Sequence, residues 1–170
     1  MPENGLIRED IQFLTGYSPG LVGRITELHA DYYVRHWGFT AFFETRVATE
    51  MSEFINRYDA TRDCIWSAVV DRQIEASITI DGIDATGKGA HLRWFIASDK
   101  IRGKGIGARL IVLAMDFCRQ NGYHKIFLHT FRGLEPARHL YEHHAFKLVE
   151  SRPGDQWGTR VEEQRYETRQ

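Results

Sequence analysis

Arg102-Gly103-Lys104-Gly105-Ile106-Gly107 is the stretch on which the reading of this chain turns. It follows a strand-like segment, His91 to Ala97, and opens a helix over Gly105 to Gln120 with apolar positions Ile106, Leu110, Leu113, Ala114 and Phe117; Gly122 lies beyond its end. Glycines on alternate positions let the backbone approach a ligand closely and turn successive N–H groups inward. The unpaired donors of a first helical turn and the positive end of its dipole face the same point. Arg102 and Lys104 add charge. The stretch reads as an anion cradle suited to a pyrophosphate, the plainer alternative being a flexible glycine turn with two solvated bases.

Outward from the cradle, Lys125 to Thr130 reads as a strand, Glu135 to His143 as a short helix, Phe146 to Glu150 as a strand and Thr159 to Thr168 as a terminal strand. Upstream, Ile7 to Leu14 reads as a first strand. Ser18 suits an N-cap with Pro19 at the first helical position, and Gly38 ends the helix that carries Leu21, Ile25, Leu28 and Tyr32. Thr40 suits the cap of a second helix with the apolar face Phe43, Val47, Met51, Phe54 and Ile55. Ile65 to Val70 and Ile74 to Ile80 form a hairpin about a turn near Asp71, and Asp81 to Gly89 reads as a flexible connection. The order β-α-α-β-β-β-α-β-α-β-β predicts an α/β (α+β) fold, a mixed sheet with helices on its faces, with a right-handed crossover from strand 91–97 to strand 125–130.

At 170 residues the chain is expected to be a single domain, 1–170, large enough to bury a core without staples. Lys and Arg total 22 against 23 Asp and Glu, a net charge of −1, so no basic field draws it to nucleic acid. Cys64 and Cys118 are too few for a disulfide scaffold and fit a reducing compartment. The longest apolar run, Leu110 to Met115, is far short of the roughly 18 residues of a membrane span, and Met1 to Gly5 lacks a signal-peptide pattern. A cytoplasmic protein with no membrane partner is the expectation.

Three literal pattern matches compete. Gly82 to Gly89 is one residue short of a P-loop, lacks the hydroxyl after Lys88 and leads into a strand, so it is rejected. Gly103 to Ala108 fits G-x-G-x-x-A, but Ser98 to Arg102 intervene after the strand and the next strand ends His129-Thr130-Phe131-Arg132 with no ribose-binding acid. His139-Leu140-Tyr141-Glu142-His143 fits H-x-x-E-H; His139 and His143 share a helix face and could ligate zinc in a hydrolase, yet no spacing points to a third ligand.

The cradle and the later run Ala137-Arg138-His139-Leu140-Tyr141-Glu142-His143-His144-Ala145-Phe146 together resemble the GNAT superfamily of N-acetyltransferases. Arg102, Gly105 and Gly107 fall on its R/Q-x-x-G-x-G/A signature, and the second run is similar to A-x-x-L-Y-x-x-x-G-F. The chain also resembles the acetyltransferase half of proteins in which a MarR-like winged helix comes first; no DNA binding is carried over. Two positions depart from the family pattern. Leu134 stands where an Asn often contacts the cofactor's arm, and Ala145 replaces a glycine.

The resemblance implies a GNAT-like, mostly antiparallel sheet of about seven strands in which strands 91–97 and 125–130 splay and admit the acyl-CoA arm. Acetyl-CoA would be the donor and a primary amine of a small molecule or peptide the acceptor, with no metal required. Phe95, Ile96 and Ala97 would bond the arm through their backbones, Arg102, Gly103, Lys104, Gly105, Ile106, Gly107 and Ala108 would hold the pyrophosphate, and Thr130, Leu134, Ala137 and Tyr141 would complete the cofactor site. Tyr141 matches the family's general acid, or else packs its helix on the sheet. Glu44, Asp81, His91 and His129 are the candidate bases. Trp37, Phe43, Glu44, Asp81, Arg93 and Trp157 are the candidate acceptor contacts, core packing or the face of a homodimer being the alternative for the aromatics. A non-catalytic acyl-CoA sensor would keep the cradle without a working base.

Overall fold

The computed structural model describes residues 10–170. The expected strand beginning at Ile7 and the reading of Met1 to Gly5 therefore lie, for residues 1–9, outside the described residues. Its described portion is a short edge strand, β1 (Gln12–Thr15).

Helix α1 (Leu21–Trp37) starts later than Ser18-Pro19 suggests. The Ser18 carbonyl accepts from Leu21 N–H at 3.0 Å, closing a turn, and Gly20 takes the cap position with φ 88°. A left-handed residue there redirects the chain, and glycine adopts it without a Cβ penalty. Gly38, φ 65°, ends the helix as expected. Thr40 is extended before α2 (Ala41–Asn56), although its side chain makes no capping bond. Phe43, Val47, Met51 and Phe54 recur at helical spacing and are buried.

Strands β2 (Cys64–Val70) and β3 (Gln73–Asp81) form the hairpin. Asp71 and Arg72 between them have φ of 49° and 65°, the paired left-handed conformation of a type I′ turn. The connection after β3 is pinned rather than loose. Asp63 Oδ1 accepts from Gly82 N–H at 2.8 Å, and Gly89 N–H donates to Asp84 O at 3.0 Å.

β4 (Ala90–Ala97), α3 (Ile106–Gln120), β5 (Lys125–Phe131) and α4 (Glu135–His143) follow. β6 (Lys147–Gly154) and β7 (Val161–Arg169) close the chain. β6 runs further than expected because its later residues stay paired with β7, from Ser151↔Gln164 to Gly154↔Val161. The seven strands form one sheet in the order β1-β2-β3-β4-β5-β7-β6. Every neighbouring pair is antiparallel except β4 with β5. Two cores result, one under α1 and α2 and one under α3 and α4. Cys64 and Cys118 are buried as free thiols, each pushed up to about 12, chiefly by burial. Among the described residues no helix is long and apolar enough to cross a membrane.

The exit from α4 carries local strain. Phe146 N–H donates to Tyr141 O at 3.0 Å, a C-terminal wrap that requires Ala145 at φ 63°. A Cβ in that region costs about 1–2 kcal/mol. Ala145→Gly is therefore expected to raise unfolding stability by about 1 kcal/mol, read as a higher urea midpoint at unchanged m-value; a lower midpoint would contradict this account of the turn.

Candidate active site

The site begins with one backbone angle. Trp94 lies inside β4 with φ 47°, a conformation that a bulky side chain rarely adopts. Against β3, Thr79 pairs with Arg93 and Ser77 with Ile96, so β4 carries one residue more than its partner there, a β-bulge. Ser77 Oγ donates to the displaced Trp94 carbonyl at 2.8 Å. The extra residue also inverts the alternation of side chains. Before it Leu92 enters the α3 core; after it Trp94 and Ile96 enter the α1/α2 core.

The bulge coincides with divergence of the parallel pair. β4 and β5 pair only at Ala90↔Ile126 and His91↔Phe127. Beyond that β4 follows β3 while β5 stays with β7 along its full length, to Phe131↔Glu163. The gap opens into a cleft of about 690 Å³ that passes through the sheet, lined from Leu92 to Ala97 on one strand and from Leu128 to Phe131 on the other.

At one mouth of the gap stands the start of α3. Gly103 and Gly105 have φ of 80° and 77°, and a Cβ built on either would meet nothing within 4 Å. The amides of Gly103, Gly105, Ile106, Gly107 and Ala108 donate to no acceptor among the described residues. Gly107 serves packing as well, since a Cβ there would lie 3.4 Å from Phe95 and from Leu140. Arg102 braces the turn: Nη2 donates to Ala97 O at 2.9 Å, Nη1 pairs with Asp99 at 2.8 Å, and the guanidinium sits over Tyr32. Lys104 is exposed and is not part of the cleft lining.

The other mouth, between α2, β5 and the β6–β7 loop, is aromatic and charged. Phe43, Phe131 and Trp157 line it, with Arg46 and Glu50 from α2 and Arg93 from β4. Arg46 Nε donates to Glu50 Oε1 at 2.7 Å, and Arg93 Nη2 donates to Glu50 Oε2. The Arg46 guanidinium also reaches Gln156 O, fastening the loop to α2. His91 and His129 stand between the mouths, ring centroids 5.5 Å apart. Burial, then Arg93 and His129, hold the His91 imidazole well below its ordinary value. Partial burial and Arg165 lower His129. Both are neutral near pH 7.

From the opposite face of the sheet comes Tyr141, buried on α4, lining the cleft with its hydroxyl unpartnered among the described residues. Burial raises its phenol, with Tyr33 and Tyr166 adding to the effect. Thr130, Leu134 and Ala137 line the same space, Leu134 as the cap residue of α4.

Several candidates lie elsewhere. Glu44 is exposed and borders a separate groove against α1, because one step from buried Phe43 turns its side chain about 100° off the core face. Asp81 is buried and committed: Arg57 binds it bidentately at 3.0 and 2.5 Å, and Arg93 adds a contact at 3.3 Å. Burial alone would raise its carboxyl, but the Arg57 bonds and charge hold it below the usual range. Trp37 packs on Gly133 and Phe131 outside the lining. His139 and His143 are exposed, and no group of three or more metal-capable side chains occurs among the described residues. Arg46, Glu50, Tyr33 and Gln156 belong to the cleft without having been candidates. The i,i+4 pair Arg46–Glu50 flanking the stripe of Phe43 and Val47 was the available signal.

A family model described as the acetyltransferase (GNAT) family matches residues 24–146. The chain belongs to the GNAT family. The fold agrees with solved GNAT-type structures. An acetyltransferase from Streptococcus agalactiae 2603 superposes with a TM-score of 0.71 at 18% identity, covering 94% of this chain and 98% of that one. The yncA protein of Salmonella typhimurium, solved with its cofactor acetyl-CoA, gives 0.70 at 12% identity over 93% and 94% of the two chains. Arabidopsis thaliana NAA60 in complex with a bisubstrate analogue gives 0.69 at 17%, over 94% and 97%. The uncharacterized N-acetyltransferase YjgM of Escherichia coli (strain K12) is 38% identical over 50 residues, 29% of this chain and 30% of that protein.

One imidazole of this GNAT site makes its stability pH-dependent. His29, buried on α1 and lining the cleft, donates Nδ1–H to Ile25 O at 2.8 Å and is lowered to about 4, mainly by burial. The unfolded chain, with His near 6.5, binds the extra proton first, so stability is full above pH 6.5 and falls as pH drops toward 4. Urea midpoints between pH 7 and pH 4.5 are expected to decline, and His29→Gln to flatten the slope; an equal slope in that variant would remove His29 as the cause.

Proposed function

We propose that this chain transfers the acetyl group of acetyl-CoA to a primary amine by direct attack. The observation that carries the reading is the set of unpartnered amides at Gly103 and at Gly105 to Ala108, standing at the mouth of a strand gap. Backbone donors at a helix start suit a diphosphate, and the space above Gly103 and Gly105 is open to receive it. The β4 edge from Leu92 onward, left without a ladder partner on the β5 side, suits an extended amide-bearing arm. Phe95 and Ile96 are the backbone positions for it. Ala97 O is already taken by Arg102, and Leu134 offers the arm an apolar contact where the family often has an amide.

Acetyl-CoA supplies an activated acetyl carbon and a thiolate leaving group. The chain's own part is alignment and proton transfer. His91 and His129, neutral and inside the cleft, accept the ammonium proton directly or through water, which frees the nitrogen lone pair for the carbonyl carbon. As the carbon–nitrogen bond forms and the carbon–sulfur bond breaks, Tyr141 donates its proton to sulfur. The second proton that the nitrogen sheds on becoming an amide restores the phenol, which burial keeps protonated between turnovers, while the first passes from the imidazole to solvent. Base and acid come from opposite faces of the sheet and meet through the gap, which separates the attacking and departing atoms. Glu44 and Asp81 are less suited as bases, one lying outside the cleft and the other locked to Arg57.

The test is release of CoA thiol from acetyl-CoA across a panel of amines. Turnover with at least one amine is expected, with the acid limb of kcat/KM below pH 6.5 because both imidazoles are lowered. Tyr141→Phe is expected to reduce kcat by roughly 100-fold with a much smaller change in CoA affinity; equal turnover would remove its acid role. Gly105→Val, placing a branched side chain at φ 77°, is expected to weaken CoA binding by calorimetry at least tenfold, and unchanged affinity in a folded variant would count against the cradle.

A further inference from the structure

We infer that the acceptor is an α-amino acid with an apolar or aromatic side chain, its carboxylate held by Arg46 and Arg93. This rests on the transferase reading above and concerns the acceptor half of the same cleft.

The charge inventory carries the inference. Among the described lining residues Glu50 is the sole carboxylate, against the guanidiniums of Arg46, Arg93 and Arg102. Arg102 belongs to the cofactor mouth and is paired with Asp99. At the acceptor mouth Glu50 has both oxygens engaged, Oε1 by Arg46 and Oε2 by Arg93. Its charge is thus compensated twice before any ammonium group arrives. Asp81, behind Arg93, is likewise held by Arg57. The imidazoles bring no charge. Glu163 is buried behind Gln156, whose amide and side chain both donate to it, and lies outside the lining. The surface that an acceptor meets is therefore net positive, which disfavours polyamines and lysine-rich peptides and favours an anion.

The donors for that anion remain. Arg46 Nη2 and Arg93 Nε have no hydrogen-bond partner among the described residues. The Arg93 side chain is only 16% exposed and stacks on Trp94 at 4.1 Å, so a carboxylate meeting it does so in a poorly solvated place where charge-assisted bonds are strong. Spacing selects the class further. His91 and Arg93 are two residues apart on one face of β4, before the bulge, and so roughly 7 Å apart along the strand. A molecule giving its amine to the imidazole and its carboxylate to the guanidinium spans that interval with a single carbon between the two groups, plus a hydrogen bond at each end. Phe43, Phe131 and Trp157 then receive an apolar side chain.

The experiment compares L-phenylalanine, L-tryptophan, L-leucine and L-methionine with their carboxamides, and with spermidine and a lysine-containing peptide, by thiol release from acetyl-CoA. Calorimetry of L-phenylalanine and L-phenylalaninamide on the CoA-loaded protein runs in parallel. The free acids are expected to exceed their amides in kcat/KM by at least tenfold and to exceed spermidine by more. Arg46→Gln is expected to erase the acid-to-amide preference by raising KM for the acids while CoA affinity holds, and Arg46→Lys to recover part of it. Equal use of acid and amide, or preference for spermidine or the peptide, overturns the inference and leaves the transferase reading intact. If no amine is acetylated, the transferase reading fails instead; calorimetry then decides, binding of the acid over the amide upholding the carboxylate subsite and equal or absent binding overturning it.

Discussion

Everything functional in this fold depends on the backbone of Trp94 turning the wrong way for a strand. A left-handed φ at a bulky residue costs about 1–3 kcal/mol and needs a surrounding that insists on it. The surrounding is visible: the Ser77 hydroxyl bonds the displaced carbonyl, Phe54 meets the indole edge-on at 5.5 Å, and Arg93 covers its face at 4.1 Å. Each contact contributes of the order of 1 kcal/mol, enough together to offset the strain. In return β4 leaves β5 after two pairs, and Arg93 and Trp94 project to the same side of the sheet. Without the kink the parallel ladder could close, and the cleft, the exposed strand edge and the passage from Tyr141 to the imidazoles would all be lost.

A chain of charges fixes the second half of the site. Arg57, Asp81, Arg93, Glu50 and Arg46 alternate in sign from the end of α2 through β3 and β4 and back to α2, and Arg46 then reaches the β6–β7 loop at Gln156. Asp81 and Arg93 are well buried while Arg46 and Glu50 remain about one third exposed. Buried pairs of this kind add little net stability, but removing one member leaves an uncompensated charge at high cost. Their effect is geometric: they hold the loop, the helix and the bulged strand at fixed distances around the cleft.

Much of this was legible in the sequence. The element order, the left-handed glycine turn before α3 and the boundaries of α3 and α4 follow from periodicity and capping chemistry that act locally. What was not legible was long-range. Ser18-Pro19 satisfies the rule for a helix start, yet it closes a turn and Gly20 caps the helix instead. Nothing in Leu92 to Ala97 announces the bulge, because Trp94 is a good strand former and no glycine marks the kink. Glu44 and Glu50 are the same residue type on one helix; only the helical phase relative to β4 separates the solvent-facing one from the one in the cleft. Asp81 could not be told from a candidate base without seeing Arg57, which is 24 positions away and arrives only when α2 packs on β3.

The two cysteines have a practical meaning. Cys64 lies against Tyr58 on β2 and Cys118 is fully enclosed on α3, and both thiols are pushed up to about 12. A disulfide reagent or an alkylating agent consumes thiolate, and the folded protein presents almost none at neutral pH. The folded protein is therefore a silent background in any colorimetric determination of coenzyme sulfhydryl, and the appearance of two reactive equivalents per chain would report loss of the fold.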